Sequence, residues 1–220
     1  MNNLKKRIFT SIFLITLIIL MFFYPYIMIV SLMIIVIITW VEFYALISKI
    51  IKKNLFRHKF LRFFYKAVSL FYLSALFYLI LDINFNHLHL KIYLFYSVLV
   101  AIMSDIGGIV FGKIFKGRKL TKISPNKTIS GSIGSFIFSM LLIPLFFYEN
   151  LINHNLVSLL VLTFLISLVS QLGDLFISLL KRRAKVKDTS DILPGHGGFL
   201  DRIDGIIFAI PIGIYLFIII

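Results

Sequence analysis

The chain has 220 residues, 60% of them hydrophobic, and its 23 basic residues give it a formal net charge of +14. Soluble domains are usually about 45–50% apolar, so this composition excludes an ordinary soluble fold and favours a helical membrane protein. The absence of cysteine excludes disulfides and thiolate chemistry, and without a recognition helix or an aromatic-interleaved basic domain we expect no nucleic-acid partner.

Seven apolar segments follow in chain order. They cover residues 8–24, 26–47, 67–81, 92–112, 129–148, 156–173 and 203–220. Because such segments cross membranes as helices, we predict an all-α, polytopic integral membrane protein with about seven spans, within a range of six to eight. The first segment lacks a small-residue cleavage site and exceeds the length of a signal-peptide core, so we expect a retained membrane helix.

The segments that connect these predicted spans are alternately rich and poor in basic residues. The N-terminus and residues 49–66, 113–127 and 174–204 carry three, seven, six and six Lys or Arg residues. Residues 82–91 carry one, and residues 149–155 carry none. By the positive-inside rule, the four rich segments face the cytoplasm and the C-terminus faces away from it.

Charge of both signs is concentrated in residues 174–204, which hold five of the nine acidic and six of the 23 basic residues. A charge inside an apolar span costs roughly 2.5–3.5 kcal/mol on insertion scales and usually marks function. Four side chains adjoin or enter such spans: Asp174, Lys181, Asp201 and Asp204. We therefore predict a metal-and-phosphate site at the membrane surface. A solvated loop with incidental ion pairs is the alternative, and it is the better interpretation for Arg183 and Lys185.

Helical spacing groups these polar residues. If the sixth helix continues beyond residue 173, one of its faces carries Asp174, Ser178, Lys181 and Arg182. Asp201 and Asp204 are three residues apart and would share a face at the start of the last helix. A face of carboxylates, a hydroxyl and cations suits a phosphate ligand with a metal. Oxygen ligands without cysteine favour Mg²⁺ over Zn²⁺.

A glycine-rich stretch, Pro194-Gly195-His196-Gly197-Gly198, separates the two halves of this window and cannot form a regular helix. Glycine allows positive φ and close backbone approach, and exposed N–H groups can cradle phosphate oxygens. His196 has no second histidine at metal-ligand spacing, so we predict a phosphate, substrate or loop-packing contact rather than a zinc ligand.

The window resembles the signature of the phosphatidate cytidylyltransferases, also called CDP-diacylglycerol synthases. The similarity runs over 27 positions, from Ser178 to Asp204, and the preceding Gly173-Asp174-Leu-Phe is similar too. A second region, with Ser104-Asp105-Ile-Gly107-Gly108 and Ser124-Pro125-Asn126-Lys127-Thr128, is similar to the family's Asp-x-Gly helix and Ser-Pro-x-Lys-Thr loop.

The similarity is weaker elsewhere. The first hundred residues resemble the family only as hydrophobic hairpins, with Trp40-Val-Glu42-Phe43 as a faint similarity. After Thr128, the chain has Ile129-Ser130-Gly131 where the family often has a Trp-Glu-Gly-like step. The resemblance divides the chain into N-terminal transmembrane hairpins at 1–100 and a catalytic transmembrane region at 101–220.

The resemblance implies a metal-dependent nucleotidyltransferase of phospholipid biosynthesis that condenses CTP with phosphatidate to give CDP-diacylglycerol and pyrophosphate. The implied location is a bacterial cytoplasmic membrane, with the active site facing the cytoplasm. The implied partners are CTP, phosphatidate and membrane lipids, and the sequence leaves open whether the chain forms a homodimer.

The resemblance also implies residue roles. Asp174 and Asp201 would hold Mg²⁺, with a second cation left open. The implied catalytic set is Asp174, Lys181, Asp201, Arg202 and Asp204. The implied substrate-binding set is Asp105, Ser124, Lys127, Thr128, Ser178, Arg182, Lys187, Asp188, Gly195, His196, Gly197 and Gly198.

Other functions fit the sequence less well. CDP-alcohol phosphotransferases require an Asp-Gly-x-x-Ala-Arg run, which is absent, and a CTP-dependent polyprenol kinase would not need the long glycine-containing window. A transporter with an intramembrane cation site would be expected to carry inverted repeats, yet the first half holds no copy of the window. The intact set of acidic and basic residues argues against an inactive scaffold.

Overall fold

The fold is described from a computed structural model, which describes residues 3–52, 56–121, 124, 127–149, 151–152, 154–195 and 197–219. Its helices are α1 (Asn3–Phe23), α2 (Pro25–Ile50), α3 (Phe56–Phe85), α4 (Lys91–Phe115), α5 (Ile129–Met140), α6 (Leu142–Tyr148), α7 (Leu156–Arg183), α8 (Leu200–Ile203) and α9 (Ile206–Ile219). A 3-10 turn at Leu88–Leu90 precedes α4. No β-strand occurs among the described residues, which confirms the all-α prediction.

Six helical segments are long and apolar enough to cross a membrane, which confirms a polytopic helical membrane protein. They are Pro25–Ile50, Phe56–Phe85, Leu88–Phe115, Ile129–Tyr148, Leu156–Arg183 and Leu200–Ile219. The remaining predicted span, the first at residues 8–24, falls in α1, whose apolar part is only Phe9–Met21. At 1.5 Å per residue this part is about 20 Å long, shorter than the roughly 30 Å hydrocarbon core.

Several helices run further than the predicted spans. Residues 49–66, predicted as a basic loop, are largely helical because α3 begins at Phe56. Similarly, α4 continues to Phe115 and α7 to Arg183. Long basic side chains can reach the aqueous interface from a helix that is still partly in the membrane. A Lys or Arg therefore marks the interface and not the end of a helix.

The window between the last two predicted helices is only partly as expected. Because α7 is continuous to Arg183, it includes all four residues predicted to share one of its faces. The helix start predicted to carry both Asp201 and Asp204 is interrupted, since α8 ends at Ile203 and a turn at Asp204–Gly205 precedes α9. The Asp204 carboxylate accepts the N–H of Gly205, whose carbonyl then accepts the first hydrogen bonds of α9.

The chain divides into two compact units. One consists of Met1–Leu81 with Leu180–Ile203, and the other of Asp82–Leu179 with Asp204–Ile220. These units do not follow a boundary near residue 100, because residues 180–203 group with the N-terminal helices. Whether residues 1–100 and 101–220 are functional regions stays a prediction.

In the second unit, α4 and α5 approach each other closely through glycines. A Cβ atom on Gly107 would lie 2.3 Å from the carbonyl oxygen of Gly134. A Cβ on Gly131 would lie 2.8 Å from the carbonyl oxygen of Gly108. Small residues let transmembrane helices pack backbone to backbone, and here they fix the position of the loop that connects α4 to α5.

We expect Gly107→Ala to destabilise the protein by about 1–3 kcal/mol, because the added methyl group meets backbone and forces α4 from α5. Gly108→Ala is the matched control, since its Cβ would meet the Ser135 hydroxyl at 2.9 Å, and a side chain can rotate away. Thermal unfolding in detergent, followed by circular dichroism, measures both variants. Equal melting temperatures for the two would contradict this account of the packing.

Candidate functional site

In the second unit, an ion pair joins the loop before α5 to α7. The Lys127 ammonium contacts Oδ2 of Asp174, and the Ser178 hydroxyl donates to Oδ1 of the same carboxylate at 3.3 Å. The side chains of Lys127 and Asp174 are each 25% exposed. The structure thus brings together three of the predicted site residues around a partly exposed ion pair.

The loop before α5 is held by short-range hydrogen bonds that place Lys127. Thr128 caps α5, its hydroxyl accepting the N–H of Gly131 at 3.0 Å. The N–H of Lys127 donates to the carbonyl of Ser124 at 3.1 Å, and Ser124 is buried. Ser124, Lys127 and Thr128, all predicted substrate contacts, therefore lie in one closed turn. Pro125 and Asn126 lie outside the described residues.

Polar side chains between α4, α5 and α7 continue inward from this pair. Gln171, one turn before Asp174, accepts a hydrogen bond from Ser132 at 2.6 Å and donates to Ser167 at 3.4 Å. Ser167 in turn donates to Ser104 at 3.1 Å. These hydrogen bonds fix the positions of α4, α5 and α7 relative to one another about one helical turn before Asp174. The predicted contact Asp105 follows Ser104 on α4 and is half-buried.

In the first unit, Lys181 and Asp201 form a buried ion pair. Their Nζ and Oδ1 atoms are 2.6 Å apart, and the two side chains are 14% and 5% exposed. Oδ2 of Asp201 accepts from the Thr189 N–H at 2.8 Å, the Thr189 hydroxyl at 2.9 Å and the Gly198 N–H at 3.0 Å. Asp201 therefore joins the end of α7 to both ends of the segment 189–198.

A second carboxylate binds this segment and was not among the residues predicted for the site. Glu42 of α2 is 2% exposed and accepts four hydrogen bonds. The donors are the Thr189 hydroxyl at 3.1 Å, the Ser190 hydroxyl at 2.5 Å, the Phe199 N–H at 3.0 Å and the Leu200 N–H at 2.7 Å. The available signal was a single carboxylate in an apolar span, a feature that by default indicates function.

The glycine-rich stretch has the backbone that its composition predicts. Gly195 and Gly197 have φ values of 79° and 85°, and the Leu193 N–H donates to the Gly197 carbonyl at 2.9 Å.

A Cβ on Gly198 would lie 1.8 Å from the Thr189 hydroxyl oxygen. Because the Gly198 N–H already donates to Asp201, it is engaged within the protein. Contacts of Gly195 and Gly197 with substrate stay predictions, and His196 lies outside the described residues.

The remaining predicted residues differ in exposure. Those on the surface of the first unit are Arg182, Lys187, Asp188 and Arg202. Asp204, in the second unit, is 5% exposed. The exposed cations Arg182, Lys187 and Arg202 can contact an anionic ligand. Asp204 instead binds the main-chain N–H of Gly205.

The residues can be tested for their fit to a divalent metal. Among the described residues, no three His, Asp or Glu side chains group closely enough to enclose a metal ion. Magnesium usually takes only one or two carboxylates and completes its shell with waters and substrate phosphates. Asp174 fits this pattern because it is partly exposed. Asp201 fits less well, since one of its oxygens already accepts three hydrogen bonds.

Comparison with protein families gives a match along the whole chain, residues 1–220, to the cytidylyltransferase family. The chain belongs to this family. The match confirms the resemblance found in residues 178–204.

This cytidylyltransferase-family chain is similar to proteins named phosphatidate cytidylyltransferase. The Staphylococcus aureus (strain COL) protein is 39% identical over 173 residues, which are 78% of this chain and 64% of that protein. The Staphylococcus haemolyticus protein is 45% identical over 123 residues, 54% of this chain and 46% of that protein. The Bacillus subtilis protein is 42% identical over 120 residues, 54% and 45% of the two chains. The chain thus spans between about half and two thirds of the length of these curated relatives.

We expect Lys181→Met to destabilise the protein by about 3 kcal/mol or more, because it leaves the buried Asp201 carboxylate without its cation. Arg183→Met is the control, since Arg183 is exposed on the same helical turn. Thermal unfolding of both purified variants measures the difference. A melting temperature for Lys181→Met equal to that of the control would show that the pair does not stabilise the segment.

Proposed function

We propose that this chain transfers the cytidylyl group of CTP to phosphatidate, giving CDP-diacylglycerol and pyrophosphate. The observation that carries the proposal is its similarity over 173 residues to a protein named phosphatidate cytidylyltransferase. The proposed setting is a bacterial cytoplasmic membrane with the site facing the cytoplasm, and the basic residues of the loops support that orientation. Large exposed apolar side chains, such as Phe56 and Tyr26, support contact with membrane lipids.

The proposed reaction forms one bond and breaks one. A phosphate oxygen of phosphatidate attacks the α-phosphorus of CTP, and the bond from that phosphorus to the bridging oxygen breaks, so pyrophosphate leaves with the electron pair. The phosphate monoester is largely ionised near neutral pH, so no general base is needed. Both reactants are anions, and their repulsion is the main obstacle. Positioning and charge neutralisation are therefore the tasks of the protein.

Two lysines are suited to neutralise phosphate charge. Lys127 is held by Asp174, and in the other unit Lys181 is held by Asp201. An ammonium has three N–H donors, so one bond to a carboxylate leaves two hydrogens available for phosphate oxygens. Each carboxylate also fixes the position of its lysine, which reduces the reorganisation needed when an anionic ligand binds.

We propose that Mg²⁺ supports the reaction and that Asp174 would hold it. When bound, the ion would offset charge on the phosphate oxygens and orient them. For Asp201 the filled hydrogen-bond set of Oδ2 supports a role in fixing Lys181 and the segment 189–198. A metal-ligand role for Asp201 requires Oδ1, which also contacts Lys181.

The assay for this function uses the purified chain in detergent with phosphatidate and labelled CTP. We expect a labelled lipid product only when both substrates and Mg²⁺ are present, and we expect a chelator to abolish it. The same preparation shows whether the chain is a homodimer, from its mass in detergent. Cation flux through reconstituted vesicles without any lipid product would contradict the proposal and favour a transporter.

We expect Asp174→Asn to lower turnover by about 100-fold or more, the usual effect of removing a preorganised electrostatic group. Asp191→Asn is the matched control, because Asp191 is an exposed acidic residue of the same window outside the predicted site. Steady-state rates at saturating CTP, with membrane insertion checked for each variant, give the comparison. Near-normal turnover of inserted Asp174→Asn would remove Asp174 from the metal site.

A further inference from the structure

Among the described residues of the first unit, the carboxylate of Glu42 is the one buried charge that the proposed reaction leaves unused. Its four donors come entirely from the segment 189–200, which also contains the donors to Oδ2 of Asp201. We propose that Glu42 is a positioning residue for cytidylyl transfer, holding this segment in the conformation that fixes Asp201 and Lys181. The proposal rests on the proposed function and deepens it.

The four bonds to Glu42 fall at the two ends of the segment. Two come from hydroxyls at the start of the segment, on Thr189 and Ser190, and two from N–H groups at its end, on Phe199 and Leu200. One carboxylate therefore closes a loop of about ten residues. Bringing the ends of such a loop together has an entropic cost that these bonds must offset.

The chemistry of the acceptor suits this position. An ionised carboxylate only accepts hydrogen bonds and has about four lone-pair sites, enough for the Ser190 hydroxyl, two amides and the Thr189 hydroxyl, whose single hydrogen Glu42 shares with Asp201. Glutamine would turn an NH₂ group toward hydrogens that already point at this position. A buried charge is costly unless it is hydrogen-bonded, so the ordered segment and the buried Glu42 depend on each other.

One hydroxyl links Glu42 to Asp201. The Thr189 hydroxyl lies 3.1 Å from Oε2 of Glu42 and 2.9 Å from Oδ2 of Asp201. The next donors are three successive amides: Gly198 donates to Asp201, while Phe199 and Leu200 donate to Glu42. Because the two carboxylates share one short stretch of backbone, movement of that stretch away from Glu42 would also move the donors of Asp201.

The room beside Gly198 and a hydrogen bond from α1 also support the positioning role of Glu42. A Cβ on Gly198 would lie 2.8 Å from both Glu42 oxygens, so the glycine makes room for the carboxylate. The Thr10 hydroxyl of α1 donates to the Pro194 carbonyl at 2.9 Å. Both helices of the N-terminal hairpin therefore hold the segment, α1 near its middle and α2 at its ends.

The test compares Glu42→Gln with Thr39→Val. Thr39 lies one turn earlier on α2, is 1% exposed, and has a hydroxyl without a hydrogen-bond partner in the described part of the chain. We expect Glu42→Gln to lower kcat for the folded protein by about 100-fold with a smaller change in KM for CTP. Hydrogen exchange at Phe199 and Leu200 should become about tenfold faster. Thr39→Val should change neither.

If Glu42 only stabilised the fold and did not position the segment, Glu42→Gln would give a different result. If Glu42→Gln lowers the melting temperature but the folded fraction keeps its kcat, or if the two amides exchange at the wild-type rate, the positioning role is overturned. A wild-type chain that makes no CDP-diacylglycerol overturns the proposed function instead. An active wild type with an equally active Glu42→Gln overturns only the role of Glu42.

A second pair of variants covers the case in which Glu42→Gln does not fold. Thr189→Val removes the hydroxyl shared by the two carboxylates at nearly constant volume, whereas Thr189→Ser keeps it. We expect Thr189→Val to have a kcat about tenfold below that of Thr189→Ser, with similar KM values, as for loss of a hydrogen bond to a charged group. Equal kcat values for these two variants would overturn the proposal.

Discussion

Carboxylates that are buried or partly buried in an apolar chain must find hydrogen-bond donors or cations, and much of this structure follows from that requirement. Glu42 is satisfied by hydroxyls and amides, Asp201 by a lysine and three further donors, and Asp174 by a lysine and a serine. Each solution fixes an irregular piece of backbone. The loops of the site are therefore ordered by their acidic residues rather than by regular secondary structure.

The sequence predicted the helical membrane fold well, because apolar length and the distribution of basic residues depend on local composition. Helical spacing also grouped Asp174, Ser178, Lys181 and Arg182 on condition that the sixth helix continues past residue 173, and α7 does continue to Arg183. Helix ends were less predictable, since Lys and Arg side chains extend past the membrane boundary while the backbone remains helical. The break at Asp204–Gly205 depends on a carboxylate that accepts a neighbouring amide, which spacing alone does not reveal.

Within the site, the sequence singled out residues that stand close together in the chain. Asp201, Lys181 and Gly198 lie within a short window, and the structure brings them into direct contact. Glu42 stands far from that window in sequence, and its partners include main-chain amides, which have no signature in residue type. A lone glutamate in an apolar span could have been flagged as significant, but the segment that it holds could not have been named.

The separation between Glu42 and its donors has a consequence for biosynthesis. Its partners follow 147 to 158 residues later in the chain. At typical translation rates, the ribosome needs on the order of ten to thirty seconds to deliver them. During that interval the nascent α2 carries a carboxyl group whose final donors do not yet exist, so other polar partners, such as water, must solvate it. The α1–α2 hairpin therefore reaches its final contacts only after the segment 189–200, close to the last helix, has been synthesised.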